Sequence, residues 1–210
     1  MECIPSIESY EQLLINANKV VDFVSTAILP KTIDIEEKQF FLHSYKAQNL
    51  SAKQKTCIMD ILRGNMRKLY EDSGWGWKEV EKRKEVFNKM SRFITISTCE
   101  DGIDIIAYII FRFVWDDDDE PEFPVAYCYE LQVDRSMQKK GVGLVLIRLL
   151  QKIADHCQMR KTSLTCFKSN IAGMKFYKKA GFIVDSESPS MYGEDECYEI
   201  LSDRNFPGNS

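Results

Sequence analysis

Apolar residues recur every three or four positions between Ile7 and Val24 (Ile7, Tyr10, Leu13, Leu14, Ala17, Val20, Val21, Val24), which predicts one helix with a single buried stripe, ended before Pro30. Residues 39–47 alternate loosely and predict a first strand, in which His43 reads as a structural residue. Ser51-x-x-Gln54 has the form of a capping box and opens a helix with Ile58, Ile61, Leu62, Met66 and Leu69 on one side, stopping near Ser73-Gly74. A second, highly charged helix is expected over 78–90, with Glu81, Lys82, Arg83 and Lys84 on a solvated face. Residues 92–98 and 103–115 predict a hairpin around Glu100-Asp101-Gly102. Its second strand is apolar almost throughout, as suits a central strand covered on both sides. Val125, Tyr127, Tyr129, Leu131 and Val133 alternate as a further strand. Then come a helix over 144–157, a strand over 161–167, a helix from Ser169-Asn170 closed by Gly181, and strands over 182–185 and 196–201. The class is α/β: a helical extension over 1–37 packed on a domain over 38–202, with a loose tail over 203–210.

Composition narrows the picture. With 210 residues, 44% hydrophobic and 29% charged, the chain can bury one sizeable core. No run approaches a membrane span, and the first residues lack the basic and apolar regions of a signal peptide, so a soluble intracellular protein is expected. The seven cysteines lie far apart with no C-x-x-C pair, and there are two histidines, so neither a metal site nor a disulfide framework is expected. A net charge of −4 argues against nucleic acid as a direct partner and points to a cationic one.

Three stretches carry candidate chemistry. Gln138-Lys139-Lys140-Gly141-Val142-Gly143 joins a strand to the helix that begins at Leu144; its glycines let backbone N–H groups approach a ligand, and the helix start favours phosphate. An ordinary strand-to-helix turn is the alternative. Trp75 and Trp77 sit among glycines between two helices, where they either plug the core or, with Tyr70, wall a substrate groove. The acidic run 116–122 reads as a solvated loop, or as a site that attracts a cationic substrate.

The order β-β-β-α-β-α-β-β, Q-x-x-G-x-G after the third of those strands, and Asn170-x-Ala172 followed by Phe176-Tyr177-x-x-x-Gly181-Phe182 resemble the GCN5-related N-acetyltransferase (GNAT) superfamily over about residues 92–201. The resemblance implies a mixed, mostly antiparallel sheet flanked by helices and acetyl-CoA as co-substrate. It assigns Leu131, Gln132 and Val133 to the acetyl-pantetheine arm, Gln138, Lys139, Lys140, Gly141, Val142, Gly143 and Leu144 to the pyrophosphate, and Asn170 to the pantetheine region. Gln138 stands where a basic residue is common. Further blocks, among them Trp75-Gly76-Trp77-Lys78, Phe111-Arg112-Phe113, Tyr127-Cys128-Tyr129-Glu130 and Ser188-Pro189-Ser190-Met191, are similar to the NatD family of histone-specific N-terminal α-amino acetyltransferases. That likeness implies a free amino terminus beginning Ser-Gly-Arg-Gly, that of histones four and two-A, as acceptor. It implies Glu130 as the catalytic glutamate and Tyr70, Trp75, Tyr127, Tyr129, Thr165 and Tyr198 as groove residues. Asp116 falls at an acidic substrate position, in a loop longer than the family's. A monomer working in nucleus and cytoplasm is the matching expectation.

One carboxylate suffices as base on chemical grounds, because an α-amino group has a pKa of about 7.7–8.0 against about 10.4 for lysine. Strict alternation, however, sets Glu130 opposite Tyr127 and Tyr129, so a β-bulge is required if the three line one groove. Acetylation of a lysine or polyamine, and acetyl-CoA binding without transfer, are the alternatives.

Overall fold

The structure, a computed structural model, describes residues 6–117 and 122–203. The chain runs α1 (Ile7–Lys19), β1 (Thr32–Ile35), β2 (Lys38–Lys46), α2 (Ala52–Asp72), α3 (Glu79–Val86), β3 (Arg92–Ser97), β4 (Ile105–Trp115), β5 (Pro124–Val133), α4 (Val142–His156), β6 (Thr162–Phe167), α5 (Ile171–Lys179), β7 (Ile183–Val184) and β8 (Tyr198–Asp203). The strands form one sheet in the order β1-β2-β3-β4-β5-β6-β8-β7. All neighbours are antiparallel except β5 and β6. This is the mixed, mostly antiparallel sheet that the family resemblance implies.

The long apolar strand β4 is central and buried on both faces, as its composition requires. Ala107, Ile109, Phe111 and Phe113 enter one core with Ala17 of α1 and Leu146, Ile147, Leu150 and Ile153 of α4. Tyr108 and Ile110 enter the opposite core with Ile58, Met59 and Leu62 of α2 and Val86 of α3. The capping box at Ser51 forms in full, the serine accepting from Gln54 N and the Gln54 side chain from Ser51 N.

The amino-terminal part departs from expectation in two places. α1 stops at Lys19 rather than running to Val24, because Val20 is extended and the Asp22 carboxylate accepts from Val24 N at 2.8 Å, turning the chain. Phe23 is nevertheless buried and Val20 and Val24 still pack on the core, so the apolar spacing reports burial without reporting helix. The extension over 1–37 also contains a strand, β1, paired with β2 through the two-residue turn Glu36-Glu37, both at positive φ (48° and 63°). Of the tail 203–210, Asp203 belongs to β8 and the rest lies outside the described residues.

Arg92 of β3 fastens α1. It is buried, and its guanidinium donates to the carbonyls of Val20 (2.6 Å), Ala17 (3.1 Å) and Asn18 (2.7 Å), the groups a helix end leaves unpaired. Phe23 and Phe113 flank it at 5.5 and 5.3 Å, and burial pulls its pKa down to about 10. Arg92→Met takes this donor from the Val20 and Ala17 carbonyls, while Asn18 O keeps Lys46 Nζ at 3.0 Å, and is expected to cost about 2–5 kcal/mol, read as a lower urea midpoint. An unchanged midpoint would show that the apolar stripe alone holds α1.

Candidate active site

β5 is where the chemistry gathers, and its pairing shows how. Ile110 of β4 faces Glu130, but the next residue, Phe111, faces Cys128, so Tyr129 is the extra residue of a β-bulge. Arg112 pairs with Tyr127, and Arg112 and Ile110 lie on one face of β4, so Tyr127 and Glu130 share a face too. The bulge thus resolves the alternation conflict that the sequence poses. Arg112 holds the bulged ring in place: its guanidinium lies 3.8 Å from the Tyr129 centroid while donating to Glu85 O (2.6 Å) and Ser91 Oγ (3.1 Å).

On its other edge β5 pairs with β6 only where Ala126–Cys128 meets Thr162–Leu164, although the strands continue to Val133 and Phe167. Beyond Cys128 the two strands part, and one backbone edge of β5 has no strand partner among the described residues. A cleft of about 230 Å³ opens there, lined by Tyr70, Trp75 and Phe167 together with Tyr127, Tyr129, Glu130, Thr165, Asn170 and Tyr177. Tyr70 meets Phe167 edge-on at 5.0 Å and Trp75 meets Phe167 at 5.2 Å, so the aromatic wall is continuous. The Tyr127 hydroxyl hydrogen-bonds Thr165 Oγ1, and burial raises the Tyr127 phenol to about 12. Tyr198 joins through Trp75, 5.6 Å between centroids, at the edge of this wall.

Glu130 lies at the bottom, buried. Its Oε2 accepts from Gln132 Nε2 at 2.9 Å, and Oε1 is 3.4 Å from Lys82 Nζ. Desolvation raises its pKa above the usual carboxyl range, against the opposing pull of Lys82 and the hydrogen bond from Gln132. Lys82 is the main departure from the sequence reading: expected on a solvated face, its side chain is 8% exposed. It sits one turn before the buried Val86 on a short helix whose other valine, Val80, is exposed, so the weak apolar pattern left its face undecided. Its Nζ contacts the Tyr70 hydroxyl and Glu85 Oε2 (3.0 Å) and lies 4.3 Å from the Tyr70 ring centroid. Burial works against its charge, but Glu130, Tyr70 and Glu85 outweigh that and hold its pKa above the ordinary lysine range.

The glycine turn leaves its backbone open at Gly141. Gly141, at φ 80°, is the N-cap of α4, and a Cβ there would meet nothing within 4 Å, so the surface over these backbone N–H groups is open. Lys139 is also left-handed, at φ 64°. Gly143 differs: a Cβ would come within 3.2 Å of the Phe176 ring, so this glycine lets α4 pack against α5.

A sequence model of the acetyltransferase (GNAT) family matches residues 59–182. The chain belongs to that family. Among solved structures of the same fold are PaiA N-acetyltransferase from Thermoplasma acidophilum in complex with coenzyme A (17% identity, 77% of this chain and 98% of that chain, TM-score 0.54) and the NatC complex bound to Gag peptide and CoA (12%, 77% and 97%, 0.55). Arabidopsis thaliana NAA60 in complex with a bisubstrate analogue is a third (14%, 77% and 96%, 0.55). At these identities the likeness is one of fold.

Within this GNAT domain the structure brings Glu130, Tyr70, Trp75, Tyr127, Tyr129 and Thr165 to one cleft, with Leu131, Gln132 and Asn170 also lining it. Gln138 turns away from the cradle, donating to Val133 O at 3.1 Å, and Lys140 pairs with Glu36 at 3.5 Å. Asn170 caps α5 through Gly173 N at 2.9 Å. Asp116 does not line the cleft. Its carboxylate accepts from Glu122 N and Phe123 N, both at 3.1 Å, so it closes its own loop. By register it lies six residues along β4 from the partner of Glu130, roughly 20 Å. Acidic residues 118–120 lie outside the described residues. The sequence reading gave no site role to Lys82, Glu85, Arg112 or Phe167.

Proposed function

We propose that this protein is an acetyl-CoA-dependent N-terminal α-amino acetyltransferase whose acceptor is a histone tail beginning Ser-Gly-Arg-Gly. The observation that carries the reading is the bulge at Tyr129, which sets a single buried carboxylate among tyrosines at the foot of an aromatic cleft. Such a cleft admits a thin, unblocked chain end and excludes bulk, while its hydroxyls serve peptide backbone. Shared fold with NatC bound to a peptide and with NAA60 bound to a bisubstrate analogue supports the class.

Acetyl-CoA supplies the activated acetyl group. The cradle N–H groups from Gly141 to Leu144 fit a pyrophosphate, and the unpaired β5 edge fits the amides of a pantetheine arm as an added strand would. Glu130, directly or through a water, takes the proton from the amine as its nitrogen forms the amide bond. Backbone N–H groups of Leu131 to Val133 stabilise the charge that develops on the carbonyl oxygen. The Tyr177 hydroxyl lines the same cleft, and burial keeps it protonated, so it is available to the departing thiolate.

The substrate arginine needs an acidic partner. Glu85, which lines the cleft, and residues 194–196, just before Tyr198, are the candidates besides Asp116. A charge-assisted contact contributes roughly 1.5–3 kcal/mol, so changing the third residue of the peptide to alanine is expected to lower kcat/KM about ten- to a hundredfold. The test compares Ser-Gly-Arg-Gly with Ser-Gly-Ala-Gly, with the amino-terminally blocked peptide and with spermidine. Equal rates for the two free peptides would replace the histone reading by a broader amino-terminal one. Turnover of spermidine alone would move the acceptor to a polyamine or another primary alkylamine such as lysine, and no turnover at all would leave a binding module. A histone acceptor implies work in cytoplasm and nucleus, where histones are made and used.

A further inference from the structure

We propose that Lys82 is a positioning residue for the transfer, holding Glu130 in its ionised, proton-accepting form inside an otherwise desolvated pocket. This rests on Glu130 being the base. Lys82 Nζ lies between two carboxylates, 3.4 Å from the buried Glu130 and 3.0 Å from Glu85, which is exposed on the cleft wall. The remaining groups that face Glu130 are Tyr70 of α2, Tyr108 of β4, Cys128 and Gln132 of β5 and Tyr177 of α5. Lys82 is the cation beside them: Gln132 adds a hydrogen bond to the buried carboxylate, and Lys82 supplies the opposite charge. Asn65 completes the arrangement: its Nδ2 donates to Gln132 Oε1 at 3.1 Å, which turns the Gln132 amide nitrogen toward Glu130.

Two carboxylates share one ammonium here, and that excess of negative charge suits an arriving amino terminus. When Glu130 takes the amine proton, it no longer needs a counter-charge, and Glu85 is already the nearer partner of Lys82. The alternative is that Lys82 is simply a bolt fastening α3 to the sheet. The two differ in pH dependence. An opposite charge at this range lowers a carboxyl pKa by roughly 1–3 units, so its loss moves the acid limb of kcat/KM upward by that amount, with the rate returning at alkaline pH.

The experiment measures kcat/KM against pH for a Ser-Gly-Arg-Gly peptide with Lys82→Met, Lys82→Arg, Glu130→Gln and the Lys82→Met/Glu130→Gln pair. The expected result is an acid limb displaced upward in Lys82→Met and close to wild type in Lys82→Arg, with a double variant no slower than Glu130→Gln alone. A Lys82→Met profile lowered by one factor at every pH, or superposable on the wild type, overturns the proposal. Should Lys82→Met not fold, Lys82→Gln decides, since it keeps a polar donor and removes the charge: its limb must move upward, and an unmoved limb overturns the proposal. Full turnover by Glu130→Gln is a different failure, that of the base itself.

Discussion

Replacing Glu130 by glutamine is expected to lower turnover by about 10²-fold or more, the usual scale for loss of a general base, while acetyl-CoA affinity stays near wild type. Glutamine keeps the size of the side chain and an oxygen to accept from Gln132 Nε2, so the bulge and the cleft persist. It removes the basic oxygen and the counter-charge of Lys82, which retains Glu85 and Tyr70 as partners. The pH dependence sharpens the test. Because burial raises the Glu130 pKa, the wild-type rate falls as pH drops through that raised value, where the carboxyl becomes protonated and can accept nothing. The amine imposes a second limb near its own pKa of about 7.7–8.0, and that limb remains in the variant. Wild-type turnover by Glu130→Gln across about pH 6 to 9 would remove Glu130 from the role.

How much of this was readable beforehand depends on how far each feature is fixed by local sequence. β4 was legible because two buried faces leave no polar alternation to misread, and α2 because its cap is written in side chains three residues apart. β1 was not. Its hairpin turn is Glu36-Glu37, with both residues left-handed, and neither is the glycine or asparagine that normally announces such a turn. The end of α1 was hidden for a related reason: Val20 and Val24 keep the apolar spacing of a helix after the helix has stopped, because an irregular segment presses them on the same core. At the site, alternation alone gave the wrong face for Glu130, and only the demand that it share a groove with Tyr127 and Tyr129 pointed to a bulge. The depth of Lys82 was beyond pattern reading altogether. An ammonium enters a core only where particular partners meet it, and those come from three elements, α2, α3 and β5, that only the tertiary fold brings together.

The cradle yields the second large effect, and the structure separates two glycines that look alike in sequence. A side chain at Gly143 would press on the Phe176 ring at 3.2 Å and reach Leu131 at 3.6 Å, so Gly143→Asp disturbs the packing of α4 on α5 along with any ligand. Gly141 is the cleaner probe. A Cβ there meets open space among the described residues, and its φ of 80° costs a side chain about 1–2 kcal/mol of strain. The fold should therefore survive Gly141→Asp. The carboxylate, however, would sit where the N-terminus of α4 receives an anion, taking its N–H groups and repelling phosphate. Losing two charge-assisted contacts costs roughly 3–6 kcal/mol, so acetyl-CoA affinity should fall about 10²- to 10⁴-fold by titration calorimetry. Gly141→Ala, which adds the strain without the charge, should lose far less. A folded Gly141→Asp protein that binds acetyl-CoA as tightly as the wild type would mean that the turn is only a turn, and that the pyrophosphate is held elsewhere.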